Sequence, residues 1–199
     1  MKKIYLASTS PQRKMLLKQL LGSNFEIVNS DFEEDNMQKI SPEELVKVHS
    51  LGKARAAVEN LNSGVVIGSD CILYFNGKVL GKPHTLENAK KILKEISGQM
   101  IEAYSGVALV EMESGKESVD YDVARLKIKE LSLEEIEIYV NLVKPVCNAG
   151  AINIYSVGSV FVEKIEGDYY SIVGLPLFKL NQMFENLDIS IYDYMRLER

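Results

Sequence analysis

Apolar positions recur along this chain in two rhythms, and the switches between them mark its elements. KIYLAS is a short, continuous apolar run of the kind that forms a buried strand. The spacing then becomes helical. Met15, Leu16, Leu17, Leu20 and Leu21 share a face, Ser10 is placed to cap, Pro11 takes the first helical position, and Gly22 can end the run. FEIVNS reads as a strand that leads into the acidic loop DFEED. SPEEL opens a second helix, with Ser41 and Glu44 at capping-box spacing and Pro42 in the first turn. That helix carries Lys53 and ends near NLNSG. VVIGSD is a buried strand followed by CILYFNGKVLGKP, where Asn76-Gly77 predicts a tight hairpin because both residues accept positive φ.

Further along, Thr85 caps a helix over LENAKKILKEI that Ser97-Gly98 ends. Residues 101–112 and 117–129 read as paired strands, and SLEEIEIYVNLV is a capped helix stopped by Pro145. GSVFVEKI and YYSIVG are predicted strands on either side of a turn at Glu166-Gly167-Asp168, and the helix PLFKLNQMFENL closes the domain. Strands alternating with helices predict an α/β protein with a mixed, twisted sheet flanked by helices. A doubly wound nucleotide-binding sheet is the alternative, but neither Gly-x-Gly-x-x-Gly nor a Walker sequence occurs. The 199 residues read as one domain spanning 1–199.

Composition removes several function classes. The net charge of −5 argues against broad electrostatic capture of nucleic acid, which favours a basic surface. No apolar run approaches the roughly 18 to 20 residues that cross a bilayer, and MKKIYLASTS has too short an apolar core for a signal peptide. Two cysteines, Cys71 and Cys147, make no disulfide framework and point to a reducing cytoplasm. The two histidines, His49 and His84, lack the clustering of a zinc site.

The candidate chemistry begins with LASTSPQRKMLL. Ser8, Ser10 and the cation Arg13 gather at a helix N-terminus, where free N–H groups and the dipole favour an anion. Ordinary capping by Ser10 is compatible with the same residues. The hairpin pairs Phe75 with Lys78, and continued pairing would set Cys71 opposite Lys82, bringing Asp70 near Lys82. Asp70 then lies at the end of a buried strand; an Asp that merely caps a turn is equally consistent. The loop DFEED offers Asp31, Glu33, Glu34 and Asp35, a hard-oxygen set for Mg²⁺ or Mn²⁺ if it meets Asp70, and otherwise a solvated acidic loop. Arg13, Lys53 and Lys82 suit polyphosphate oxygens, although a lysine on a helix is more often a surface residue. Cys71 and Cys147 read as buried, inert thiols.

In order along the chain, LASTSPQRKMLL, GKARA around Lys53, VIGSDCILYFNGKVLGKPHTLENAKKIL and AGAINIYSVGSVFVEKIEGDYYSIVGLPL resemble the blocks of the Maf family of nucleoside triphosphate pyrophosphatases. The resemblance covers nearly the whole chain. It implies a Maf- and inosine-triphosphatase-like fold of two lobes around a cleft. It also implies hydrolysis of a non-standard or modified nucleoside triphosphate to monophosphate and diphosphate. The family is further linked to cell-division arrest and, by resemblance, to a homodimer.

Carried over by position, Asp70 is the proton acceptor. Glu34 and Asp70 hold a divalent cation, Mg²⁺ or Mn²⁺. Ser8, Arg13, Lys53 and Lys82 contact phosphate. Gln12, Cys71 and Tyr155 fall at specificity positions, where the pyrimidine-type subgroup has Arg, Thr and Gln. GSD before Cys71, and MIEAYSG without a histidine, tilt toward the subgroup that resembles 7-methylguanosine triphosphate pyrophosphatases. Two alternatives accompany this reading: a division-regulating nucleotide-binding protein with weak catalysis, and an inosine-triphosphatase-like enzyme.

Overall fold

Four helices begin where a hydroxyl accepts an otherwise unpaired backbone N–H. Ser10 accepts from Arg13 N at 3.4 Å, Ser41 from Glu44 N at 3.3 Å, and Thr85 and Ser132 from Asn88 N and Glu135 N at 3.1 Å each. They start α1 (Pro11–Leu21), α2 (Pro42–Val58), α3 (Leu86–Ile96) and α4 (Leu133–Val143). At Ser132 the Glu135 carboxylate returns the bond to the cap's own N–H, completing a capping box. Each cap satisfies a donor that no helical turn can reach and contributes about 1 kcal/mol. The computed structural model of the protein describes residues 1–59 and 61–196. The second helix ends at Val58, and Asn60, where the NLNSG stretch begins, lies outside the described residues.

The strands are β1 (Ile4–Ala7), β2 (Glu26–Val28), β3 (Val65–Phe75), β4 (Lys78–Leu80), β5 (Met100–Glu111), β6 (Glu117–Ile128) and β7 (Val162–Glu166). Among the described residues they form one seven-stranded sheet in the order β2-β1-β3-β5-β6-β7, with β4 paired to β3. The strand β1 runs parallel to β2 and β3, whereas β3–β4 and β6–β7 are antiparallel. The mixed, helix-flanked sheet read from the pattern is therefore present. By contact density the chain falls into two units. One is Met1–Cys71, Tyr104–Asp122 and Tyr170–Arg199; the other is Ile72–Ala103 and Val123–Tyr169.

In the first unit, strand alternation sorts side chains between two helix layers. Ile4, Leu6, Val65 and Ile67 pack with Leu16, Leu17 and Leu21 of α1 and with Leu180 and Phe184 of α6 (Leu177–Glu185). Tyr5, Ala7 and Val66 turn the other way, onto Ala54 and Ala57 of α2. The period of two then carries Gly68 and Asp70 to the α2 face. A Cβ at Gly68 would lie 2.0 Å from the Ser50 carbonyl oxygen, and one at Gly106 would lie 2.2 Å from that of Val46. The backbone of α2 thus reaches the sheet only because both positions lack a side chain.

In the second unit the hairpin forms as predicted, with Phe75 opposite Lys78 and φ of 48° at Asn76 and 79° at Gly77. Its ladder stops at Leu73–Leu80, so the pairing expected between Cys71 and Lys82 does not form. Three other expectations are corrected. Residues Val157–Phe161 form a 3-10 turn, leaving only Val162–Glu166 as strand. YYSIVG is not a strand but the short helix α5 (Tyr169–Val173). Its aromatic and β-branched residues favour a strand locally, yet Gly174 N bonds back to Tyr170 O at 3.1 Å and Ser105 donates to Ser171 O at 2.6 Å. The bond from Ser105, 66 residues away, together with this local turn outweighs the strand preference. Finally, α7 (Ile191–Arg196) follows α6, so the chain does not close on α6. No described helix is long and apolar enough to cross a membrane.

Candidate active site

Asp70 is 3% exposed and lies in the middle of β3, not at its end as the sequence suggested. Lys53 and His49 stand four residues apart on α2, one helical turn, so both side chains reach it. Lys53 Nζ donates to Asp70 Oδ1 at 2.7 Å, and His49 Nδ1 lies 3.0 Å from Asp70 Oδ2. A carboxylate accepts only, so the imidazole proton of this bond sits on Nδ1. Lys53, buried rather than on the surface, also meets Glu34 Oε1 at 2.5 Å. One ammonium therefore bridges the strand carboxylate and the acidic loop.

Burial alone would push the Asp70 carboxyl up. The His49 hydrogen bond and the charges of Lys53 and Arg13 outweigh it and hold the group well below the usual carboxylate range. Asp70 is ionised across the physiological range.

The opening stretch forms a strand-to-helix turn around Arg13. Its Nε donates to the Gly174 carbonyl at 2.9 Å and its terminal nitrogen to Ser8 Oγ at 3.4 Å. The Ser69 hydroxyl, also buried, lies 2.7 Å from the same Gly174 oxygen. Ser8 Oγ also accepts from Ser10 N at 3.2 Å, and Ser10 donates to Gln12 Oε1 at 3.1 Å. Fixed at Nε, the guanidinium keeps a fork of N–H donors at the N-terminus of α1.

Cys71 is half-buried with Sγ toward the Ser171 carbonyl, and burial pushes its thiol up, as suits an inert cysteine. Cys147 is exposed, which corrects the expectation that it is buried. Lys82 and Tyr155 belong to the second unit. Lys82 is exposed beyond the end of the hairpin ladder, and Tyr155 is exposed between two 3-10 turns, with its N–H on Asn153 Oδ1 at 3.0 Å.

Thus Ser8, Gln12 and Arg13 share one turn, while Glu34 and Asp70 share Lys53. Sequence reasoning missed His49, Ser69 and Phe32. The available signal for His49 was its place four residues before Lys53, in a stripe with Val46, Ser50 and Ala57. Glu34, His49 and Asp70 each offer a ligand atom, all within 4.8 Å of one another. The donor set fits a divalent cation, because two hard carboxylates already converge on one positive charge. Glu34 and Asp70 are the residues that can hold it, His49 Nδ1 being committed to Asp70.

An α/β sheet that gathers cations and carboxylates beside a strand-to-helix turn is equipped to handle a phosphorylated ligand. The family model for Maf-like protein matches residues 3–187, and the chain belongs to the Maf family. It is 45% identical to a dTTP/UTP pyrophosphatase of Methanococcoides burtonii over 97% of this chain and 99% of that one. A second dTTP/UTP pyrophosphatase, from Methanosarcina barkeri, is 42% identical over 97% and 98%. The Ham1 protein of Staphylococcus aureus aligns in structure over 64% of this chain and 72% of that one, at 18% identity and a TM-score of 0.45.

Proposed function

We propose that the chain is a nucleoside triphosphate pyrophosphatase acting on dTTP and UTP, with release of the monophosphate and pyrophosphate. The names of relatives at 45% and 42% identity support the pyrimidine substrates. They weigh against the tilt toward 7-methylguanosine read around Cys71. The observation that carries the reading is the single ammonium of Lys53 shared by Asp70 and Glu34.

In this reading Arg13 takes phosphate oxygens in fork geometry, with Ser8 beside it and Lys53 and Lys82 as point charges. A divalent cation, Mg²⁺ or Mn²⁺, held by Glu34 and Asp70 supplies further neutralisation of phosphate charge. Water attacks the α-phosphorus, the bridging bond from that phosphorus to the β-phosphate oxygen breaks, and Asp70 accepts the water's proton. The bonds from Lys53 and His49 keep Asp70 ionised but also make it a weak base. A phosphate that draws Lys53 toward itself removes part of that stabilisation and raises the proton affinity of Asp70 as substrate binds. Gln12, Cys71 and Tyr155 are assigned to the base end. The cytoplasm and a homodimer complete the proposal.

The test is pyrophosphate release from a panel of dTTP, UTP, 7-methylguanosine triphosphate and inosine triphosphate, with EDTA, Mg²⁺ or Mn²⁺. Release from the pyrimidine nucleotides, silenced by EDTA and restored by metal, is expected. Nucleotide binding without turnover anywhere on the panel would favour the division-regulating binding protein instead.

A further inference from the structure

We propose that His49 and Phe32 are positioning residues that hold the two cation-facing carboxylates in register: His49 fixes Asp70, and Phe32 anchors the loop that carries Glu34. The inference rests on reading Asp70 and Glu34 as the cation-facing pair.

Glu34 belongs to residues 29–41, a stretch without regular structure in which Asp31, Glu33 and Glu34 are all exposed. Such a loop has many conformations, yet its Glu34 carboxylate stands 2.5 Å from the buried ammonium of Lys53. Phe32, two residues earlier, is the half-buried member of the acidic run. Its ring fills the space a side chain at Gly52 would need. A Cβ there would come 2.2 Å from Phe32 Cε2 and 2.6 Å from both Cδ2 and Cζ. The same ring meets His49 edge-on, with centroids 5.8 Å apart and planes at 60°.

His49 and Gly52 are three residues apart on α2 and form one notch, immediately before Lys53. Helix α2 thus carries both the seat for the loop and the cation that receives its carboxylate.

The imidazole is wholly buried and, among the described residues, has one polar contact, Nδ1 on Asp70; no described residue pairs with its buried Nε2. A buried nitrogen left unpaired carries a cost. Retaining it here is consistent with a ring whose work is done by the Nδ1–H and by its edge. That bond restrains Oδ2 of Asp70 and leaves Oδ1 toward Lys53. One side chain therefore touches both halves of the site, the strand carboxylate directly and the loop carboxylate through Phe32.

The test compares Phe32→Ala, Phe32→Leu, Gly52→Ala, His49→Leu and His49→Asn with the wild type. Mn²⁺ binding to nucleotide-free protein is followed by electron paramagnetic resonance, alongside kcat and KM for UTP and the melting temperature. Loss of an orienting partner typically lowers metal affinity or activity by about 10- to 100-fold. Phe32→Ala and Gly52→Ala should weaken Mn²⁺ binding by about tenfold and lower kcat, with KM for UTP less affected; Phe32→Leu should keep most of both. His49→Asn places an amide N–H near the old Nδ1–H and should rescue what His49→Leu loses. The Mn²⁺ spectrum should carry no imidazole nitrogen coupling.

Phe32 sits on the loop, so its variants decide the matter even if Gly52→Ala fails to fold. Wild-type Mn²⁺ binding and kcat in folded Phe32→Ala would overturn the proposal. So would equal losses in His49→Asn and His49→Leu, or a nitrogen coupling that makes His49 a ligand. If the wild type itself neither binds Mn²⁺ nor releases pyrophosphate, the underlying reading of the site fails instead.

Discussion

The surroundings of Asp70 and of Tyr155 differ in almost every physical respect. Asp70 occupies the centre of a long strand, is 3% exposed, and has both carboxylate oxygens bonded to side chains of one helix. Tyr155 is 39% exposed on a stretch of two 3-10 turns, with Val157 and Val160 exposed beside it. Lys82 shares that second character, exposed past the last paired residues of its hairpin. Of the groups assigned to the reaction centre, Asp70 and Lys53 are part of the sheet and its helix, where substitution disturbs buried charge, and Glu34 reaches them from a loop. Of the groups assigned to the base and the far phosphates, Tyr155 and Lys82 stand where side chains change at little cost to the fold, whereas Cys71 lies half-buried on β3 and Gln12 in the first turn of α1.

The strongest way to break this contrast is Asp70→Asn. An amide cannot accept the proton, and turnover should fall by 10² or more, roughly the contribution of a positioned base. Near-native turnover in a folded variant would remove Asp70 from that role. Lys53→Met and Lys82→Met sharpen the comparison next. Each should lower kcat/KM for all triphosphates by about 10- to 100-fold, the effect of one charged hydrogen bond. Their stabilities should differ. Removing Lys53 leaves the Asp70 carboxylate buried without its ion partner, a loss of about 3 kcal/mol or more, whereas Lys82→Met should stay within about 0.5 kcal/mol. Equal urea midpoints for the two would erase the distinction drawn here.

A smaller effect is expected at the base end. Gln12→Arg combined with Tyr155→Gln should raise kcat/KM for UTP and dTTP relative to purine triphosphates by about tenfold. Uniform scaling of the whole panel would move both residues out of the base pocket. The mildest contrast lies between the two thiols. Exposed Cys147 should react first with an alkylating reagent in the folded protein. Cys71 should lag and respond only as pH rises above the usual thiol range, because burial disfavours its thiolate. Mass spectrometry of partially labelled protein at two pH values reads the order directly.

What the sequence revealed followed the range of the interactions involved. The caps at Ser10, Ser41, Thr85 and Ser132 and the Asn76-Gly77 turn depend on neighbours a few residues away, and each was legible. The helix over Tyr169–Val173 was not, because bonds to its carbonyl groups come from Ser105 and Cys71, far along the chain. The site divides in the same way. Ser8 and Arg13 declared themselves through a compact motif, and Asp70, Lys53 and Glu34 through residue type and resemblance. His49 stayed hidden because its partner is 21 residues away, and the residues that admit the close helix, Gly68 on β3 and Gly106 on β5, are likewise distant in sequence.

The central claim is that the Asp70 cluster supports cleavage between the α- and β-phosphates of a pyrimidine nucleoside triphosphate. Phosphorus nuclear magnetic resonance of UTP incubated with the Mg²⁺-loaded protein tests it most directly. The account predicts UMP and pyrophosphate as the initial products, with neither appearing when Asp70→Asn replaces the wild type. UDP and orthophosphate from the wild type, or pyrophosphate at an undiminished rate from folded Asp70→Asn, would contradict it.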